Sequence, residues 1–400
     1  MSEPDCRRVG QLLEPGELAA TALEVSAGFA ERSTRADAEA RFPSEDLVAL
    51  RESGLLGVMV PRRLGGPGAS FAQYARVAMA LAAGSGASAL VFNMHASVTG
   101  ALAHTPDALA RALGAPESYF VARDQLLSTA LGGAFFAVAM SERGAGARLS
   151  SLATTYSKTE AGFKIHGSKA FVSGAALADA FLVAARSTED PARVSYFLVD
   201  AGDGVRVERT WDVLGMRGTA SDDVIIDVTV GEGALLGGVE GLGLIIAQLM
   251  PQWLVASYAA VYVGVARSCV DAAVAYVTER SLERLAAIRS RIGRADAAVA
   301  SAELLVLDAA ERIDAAAGSP ETNRAVYRAK LLAGQTAQDV AASMLEAAGA
   351  AAIRRGHPLE RLYRDARCGS LQPATSDVCA DWLGMAALGL DPNAAEVPRW

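Results

Sequence analysis

The sequence predicts a mixed α and β protein in three parts: an all-α region over residues 1–133, a compact antiparallel β-barrel over 134–232 and a four-helix bundle over 233–400. Three observations predict it. Apolar residues recur at helical spacing from Pro15 to about Arg123. Near Ala134 the pattern changes to short runs rich in β-branched and aromatic residues. After Gly231–Gly243 the helical period returns and lasts to Leu388. With 400 residues, 52% of them apolar and 20% charged, the chain can bury a large core.

In the first part, Ser44 before Glu45 and Asp46 predicts a helix N-cap with acids in the first turn, and Gly54-Leu55-Leu56-Gly57 predicts the stop. A turn-rich patch over Pro61–Gly68 leads into two helices within Phe71–Gly100. There Asn93, Met94 and His95 interrupt an apolar stretch. An imidazole titrates near neutrality, so His95 is a candidate for proton transfer in a pocket, and a hydrogen-bonded core histidine explains it equally.

In the second part, Phe135–Glu142, Thr154–Lys158, Phe163–His166, Ala170–Ser173, Ala180–Ala185, Ser195–Val199, Val205–Arg209 and Val224–Val230 read as eight strands. Glu160-Ala161-Gly162 and Asp200–Gly204 read as hairpin turns between them.

In the third part, Leu244–Tyr276, Ala298–Ala316, Glu321–Ala347 and the segment after Pro373 read as the four helices of the bundle. Leu242–Ala266 is long enough to span a bilayer. Gln248, Pro251, Gln252, Ser257 and Gly264 interrupt it, which favours a core helix and no membrane association. Before the last helix lies Leu359–Asp377, where Arg361, Arg364 and Arg367 predict solvated helix-end and interface pairing.

The net charge of −8 and pI near 5.2 argue against binding nucleic acid or anionic membranes. Met1–Gly16 holds Glu3, Asp5, Arg7, Arg8 and Glu14 without an apolar core, which predicts no secretory leader and a cytoplasmic protein. Cys6, Cys269, Cys368 and Cys379 form no CxxC pair and only four histidines are present, so buried thiols are expected and no metal site.

Three motifs in the β region belong together. They are Ala139–Gly146 with Ser141, Phe171-Val172-Ser173 flanked by Gly167-Ser168-Lys169 and Ala178-Asp179, and Leu214-Gly215-Met216-Arg217-Gly218-Thr219. With the turn order over Phe42–Gly68 and the Leu359–Asp377 stretch, they resemble the acyl-CoA dehydrogenase family. That resemblance implies the family's three-domain fold, FAD as cofactor and a homodimer or homotetramer.

Ser141 and Ser173 would give the flavin hydroxyl or backbone donors, and Phe171 a flat apolar wall. Thr375 would stand beside the ring. Arg280, in Tyr276-Val277-Thr278-Glu279-Arg280, would reach the pyrophosphate across a subunit interface. Gly349 would belong to the pyrophosphate loop Met344–Ala352. In that loop Ala350 and Ala352 replace glycines and Glu346 replaces a glutamine, and a carboxylate repels a diphosphate unless an arginine intervenes.

The departures concern the chemistry. Pro373 stands where the family has its catalytic glutamate, and Leu254 where some members carry that carboxylate instead. Asp377, His95 and Gln252 are the remaining polar candidates near the expected cleft. Ala147 and Val255 replace residues that commonly help hold coenzyme A. The resemblance therefore implies an FAD-dependent oxidoreductase acting on an acyl thioester, carried by an acyl carrier protein in a secondary-metabolite pathway. Its chemistry would be non-standard: a substrate with a more acidic proton, oxidation at the α-carbon, or oxygen activation by reduced flavin. The alternative is a non-redox enzyme or binding subunit on the same fold.

Overall fold

The computed structural model describes residues 16–394, so Cys6 and nearly all of Met1–Gly16 lie outside the described residues. Among the described residues six helices form the N-terminal part: α1 (Leu18–Glu39), α2 (Ser44–Glu52), α3 (Phe71–Gly84), α4 (Gly86–His104), α5 (Asp107–Ala112) and α6 (Glu117–Leu131). The start of α2 corrects the expected Ser44 cap. Pro43 is the N-cap, Ser44 is already helical, and no side-chain cap forms. Asp46 is instead buried, accepting from Arg32 at 2.5 Å and Ser88 at 2.6 Å, which ties α2 to α1 and α4. A reciprocal capping box between Ser70 and Gln73 begins α3. Asp314 reinforces it by accepting from the amides of Phe71 and Ala72 at 2.6 and 3.0 Å.

Seven strands follow: β1 (Phe136–Ala139), β2 (Thr155–Thr159), β3 (Gly162–Val172), β4 (Ala180–Ser187), β5 (Val194–Asp200), β6 (Val205–Glu208) and β7 (Asp222–Val230). Two expected runs, Phe163–His166 and Ala170–Ser173, belong to the single strand β3 and its end. The order is β1-β4-β2-β3-β7-β6, with β5 on β4.

The expected antiparallel barrel is corrected in two ways. First, β4 runs parallel to both β1 and β2. Second, no ladder among the described residues joins β6 back to the other end, so the sheet is a curled, open half-barrel. Nor is Asp200–Gly204 a hairpin turn, because β5 pairs with β4 and β6 with β7.

Closure is unnecessary because helices cover the second face. Along β4, Phe181, Val183 and Ala185 join the sheet's own core, while Leu182 and Ala184 join the helical core. The rings of Tyr156, Phe163 and Phe197 meet inside the curl at centroid distances of 4.9 to 5.8 Å.

The C-terminal part holds α7 (Leu242–Leu249), α8 (Ala256–Glu279), α9 (Ala286–Ala316), α10 (Pro320–Ala348), α11 (Pro358–Arg367) and α12 (Ser376–Ala387). The expected helix over Leu244–Tyr276 is broken at Pro251, which cannot continue the helical hydrogen-bond ladder. A 3-10 turn over Pro251–Trp253 separates α7 from α8. The described segment Pro251–Glu279 is long and apolar enough to cross a membrane, but most of it is buried within the protein, and it serves as a core helix. At Gly264 a Cβ would lie 2.5 Å from the Met79 carbonyl oxygen, so α3 and α8 approach this closely only because that residue is glycine. Cys269 and Cys379 are buried, and Cys368 is half-buried.

Candidate active site

The site is built on one rim of the sheet. Beyond β1 the chain passes through Met140 and Ser141 to Glu142, which is 5% exposed. Glu142 accepts from the amides of Ala153 and Thr154 at 2.6 and 3.0 Å and from Lys169 at 2.8 Å. Lys169 is fully buried and also donates to the Met140 carbonyl at 3.2 Å. Burial pushes the Lys169 ammonium down to about 8 and pushes the Glu142 carboxyl up. Lys169 and the amides more than offset this for Glu142, which ends below its usual range. Between these anchors the Ser141 carbonyl accepts from Ala170 at 2.9 Å, which fixes Ser141 against β3.

Near its end β3 is irregular. Its register on β7 passes from Lys169↔Val224 to Val172↔Asp222, so β3 has one residue more than β7 over this step, and Phe171 takes φ +60. An aromatic in left-handed backbone is uncommon, and here it is held 55% exposed with its edge against the Trp211 ring, 5.9 Å away. Ser173 follows, buried, with its hydroxyl 2.9 Å from that of Ser221.

The third motif closes the same region from the β6–β7 connection. Asp365 of α11 accepts from the Met216 amide at 2.5 Å, and Arg364 donates to the Leu214 carbonyl at 2.9 Å. Arg364 also pairs with Asp37 of α1 at 2.6 and 2.8 Å and with Glu360 at 2.7 Å, which hold its guanidinium above its usual range. Gly215 is required because a Cβ there would lie 2.0 Å from the Arg364 carbonyl oxygen.

This corrects the expectation of solvated charge. Arg361 and Arg364 are 9% and 7% exposed: Arg364 is held between Asp37 of α1 and the Leu214 carbonyl, and Arg361 pairs with the buried Asp365 at 3.3 Å. Arg367 alone of the three is exposed, and it bonds Gln338 at 2.7 Å.

Thr375 is the N-cap of α12 and accepts from the Val378 amide. The loop before it, including Pro373, is held from within by Lys330 of α10. Its buried ammonium donates to the carbonyls of Gly369, Gln372 and Ala374 at 2.8, 3.1 and 2.9 Å. Burial pushes this ammonium down to about 8.

Asp377 is exposed in the first turn of α12, a position where a carboxylate favours the helix end. Arg280 caps α8 with its guanidinium 5.1 Å from the Tyr276 ring centroid. Gly349, at φ +78, caps α10. Beside it Glu346 pairs with Arg291 at 2.6 Å, so an arginine does intervene at the carboxylate that would repel a diphosphate.

His95 does not stand at a reacting centre, which corrects its candidacy for proton transfer. It is fully buried, and its Nδ1 accepts from the Phe136 amide at 3.0 Å. Nε2 must then carry the ring proton and donate to the Leu56 carbonyl at 2.7 Å, so neither nitrogen is free. Burial lowers its pKa to about 4. The unfolded chain takes up this proton near 6.5, so the stability held by the neutral ring is full above pH 6.5 and is lost as pH falls towards 4. The loss is at most about 3 kcal/mol. The urea midpoint should fall over this window in the wild type and less steeply in His95→Gln; equal slopes would contradict the assignment.

Beside the rim lies an apolar cavity of about 230 Å³ between α4, α7, the start of α8 and the sheet. Val138 and Met140, which lead directly to Ser141, line it together with Trp253, Leu254 and Tyr258. No Asp, Glu, Lys or Arg is among its lining residues. Gln252 reaches the lining, and Leu254, at the alternative position for a carboxylate, is part of the wall. Val255 is fully buried.

Sequence reasoning missed the cavity's aromatic residues, Ser221 and Lys330, and it named Thr219 only as the last residue of the third motif. A usable signal existed for Lys330, the one lysine after Lys169 in a chain otherwise supplied with arginine.

The exposed Phe171 ring beside fixed hydroxyls, with an apolar cavity adjoining, suits a flat heteroaromatic cofactor. Comparisons with known proteins agree. Models of the N-terminal, middle and C-terminal domains of acyl-CoA dehydrogenases match residues 18–108, 137–228 and 240–388, in chain order. A 3-(aryl)acrylate reductase of Clostridium sporogenes is 27% identical over 351 residues, covering 86% of this chain and 89% of its own. Two solved structures share the fold. Butyryl-CoA dehydrogenase from Megasphaera elsdenii has a TM-score of 0.82 at 21% identity, covering 97% of this chain and 100% of its own. FMN-bound TdsC from Paenibacillus sp. A11-2 has a TM-score of 0.82 at 24% identity, covering 93% and 97%. The chain belongs to the acyl-CoA dehydrogenase family, and is by that membership an enzyme of the flavin-dependent oxidoreductase class with FAD as the family's cofactor.

Proposed function

We propose that this protein exchanges hydride between FAD and an apolar acyl group presented as a thioester, without a carboxylate base at residue 373. The observation that carries this is the continuity of the two halves of the site. Met140 lines the cavity, and the next residue, Ser141, is the one that would face the flavin. An acyl group packed against Trp253 and Tyr258 would lie beside the ring, and the apolar walls would exclude water from it.

Ser141, Phe171, Ser173 and Thr375 would hold the ring, and Arg280 and Gly349 the diphosphate. The Arg291–Glu346 pair supports retention of the diphosphate, since it neutralises the substitution that spoke for a non-redox role. Bound FAD supplies the hydride chemistry.

With no carboxylate in the lining, this reading assigns the proton to a substrate whose α-position is already acidic and loses it to solvent before the acyl group is enclosed. Asp377 is the one sequence candidate that stays exposed beside Thr375. The absence of arginine at 255 and serine at 147 favours a thioester on an acyl carrier protein in a specialised pathway. Free acyl-CoA is the family's usual partner.

The test begins with the purified protein. It should carry, or take up, FAD with a flavin visible spectrum, and carrier-bound acyl thioesters should bleach that spectrum anaerobically more effectively than the same acyl-CoA. A protein that stays colourless with added FAD would overturn the redox reading. Bleaching by acyl-CoA alone would overturn the carrier assignment.

A further inference from the structure

Three buried hydroxyls run inward from the rim. Ser173 Oγ is 2.9 Å from Ser221 Oγ, which is 2.7 Å from Thr219 Oγ1, which is 2.8 Å from the Met216 carbonyl oxygen. Distance alone does not say which hydroxyl donates at the first two contacts. The last contact decides it, because a carbonyl only accepts and each hydroxyl has one proton. Thr219 donates to Met216, so it accepts from Ser221, and Ser221 accepts from Ser173. The terminal carbonyl is itself held in place, by Trp211 Nε1 at 3.3 Å and through Asp365 on the amide of the same residue at 2.5 Å.

We propose that Ser221 and Thr219 are positioning residues that turn the Ser173 proton inward, so that Ser173 presents a hydrogen-bond acceptor to the flavin. The inference rests on the flavin reading above, and it reverses the donor role that the sequence suggested for Ser173. The consequence is electronic. A reduced flavin ring carries an N–H that the oxidised ring lacks, so a hydroxyl that can only accept favours the reduced form. A hydroxyl free to donate favours the oxidised form.

Ser221 is 5% exposed and Thr219 is fully buried. Neither side chain is at the surface to be read as a ligand contact, and each acts through Ser173.

The experiment measures the midpoint potential and visible spectrum of bound FAD in the wild type, Ser221→Ala, Thr219→Val, Ser173→Ala and the Ser173→Ala/Ser221→Ala double variant. Ser221→Ala frees the Ser173 proton. It should shift the equilibrium about tenfold towards the oxidised form, a fall of about 30 mV for a two-electron couple. Thr219→Val, which keeps the volume, should shift it in the same direction, and it carries the test if Ser221→Ala fails to fold. In the Ser173→Ala background Ser221→Ala should add nothing. An unmoved potential in flavin-loaded Ser221→Ala or Thr219→Val, or a shift of equal size without Ser173, overturns this inference alone. A wild type that binds no FAD overturns both it and the proposed function.

Discussion

Glu142→Ala should lower the stability of the protein by about 3–5 kcal/mol and abolish cofactor uptake. The change leaves the Lys169 ammonium fully buried without its counter-charge and takes the acceptor from the amides of Ala153 and Thr154. Removing one partner of a buried pair costs far more than removing both, because the remaining charge must still be desolvated. A Glu142→Met/Lys169→Met double variant should therefore recover most of the stability. It should not recover cofactor binding to the same degree, because Lys169 also holds the Met140 carbonyl next to Ser141. Urea unfolding with FAD titration measures both. A single-variant loss below about 1 kcal/mol, the range of exposed ion pairs, would show that water reaches the pair.

Lys330→Ala should cost a similar amount, about 3–5 kcal/mol, for a different reason. The three carbonyls of Gly369, Gln372 and Ala374 lose their donor, and the missing side chain leaves a cavity beside α10. Lys330→Met fills most of that volume and isolates the lost ammonium. It should cost less overall yet still speed amide hydrogen exchange across the loop and the first turn of α12, up to Cys379. Unchanged exchange there would mean that the contact between Tyr262 and Gln372, at 2.7 Å, holds the loop without the lysine. The loop matters because it carries Pro373, where the resemblance places the family's glutamate, and ends at Thr375, the N-cap of α12.

Both predictions concern residues that the sequence offered only weakly, and the reason is physical. The motifs that hold Ser141, Phe171 and Ser173 can be read in the sequence because a motif keeps residue type and spacing together over a short span. Their supports are contacts between distant parts of the chain: Lys169 with Glu142, Asp365 with Met216, Lys330 with the loop before Thr375. Nothing local marks such a partner. His95 shows the converse. A histidine in an apolar stretch reads as a site or as core, and the choice was made by Phe136 and Leu56, which lie 41 and 39 residues away.

The sheet misled for a similar reason. Periodicity reports which residues are apolar on each face, and β4 is apolar on both. It does not say whether the second face meets another strand or a helix, and here helices cover it and the curl stays open.

By itself the sequence determined the order of helical, β and helical parts and the motifs that carry the family resemblance, because periodicity, turn residues and spaced motifs are properties of neighbouring positions. Only the tertiary structure shows that both ring nitrogens of His95 are hydrogen-bonded, that Arg361 and Arg364 are buried, that Glu346 pairs with Arg291, and that the Ser173 hydroxyl lies 2.9 Å from that of Ser221. Each of these depends on which distant group fills the last few ångströms around a side chain. A buried polar atom takes its chemistry from that partner.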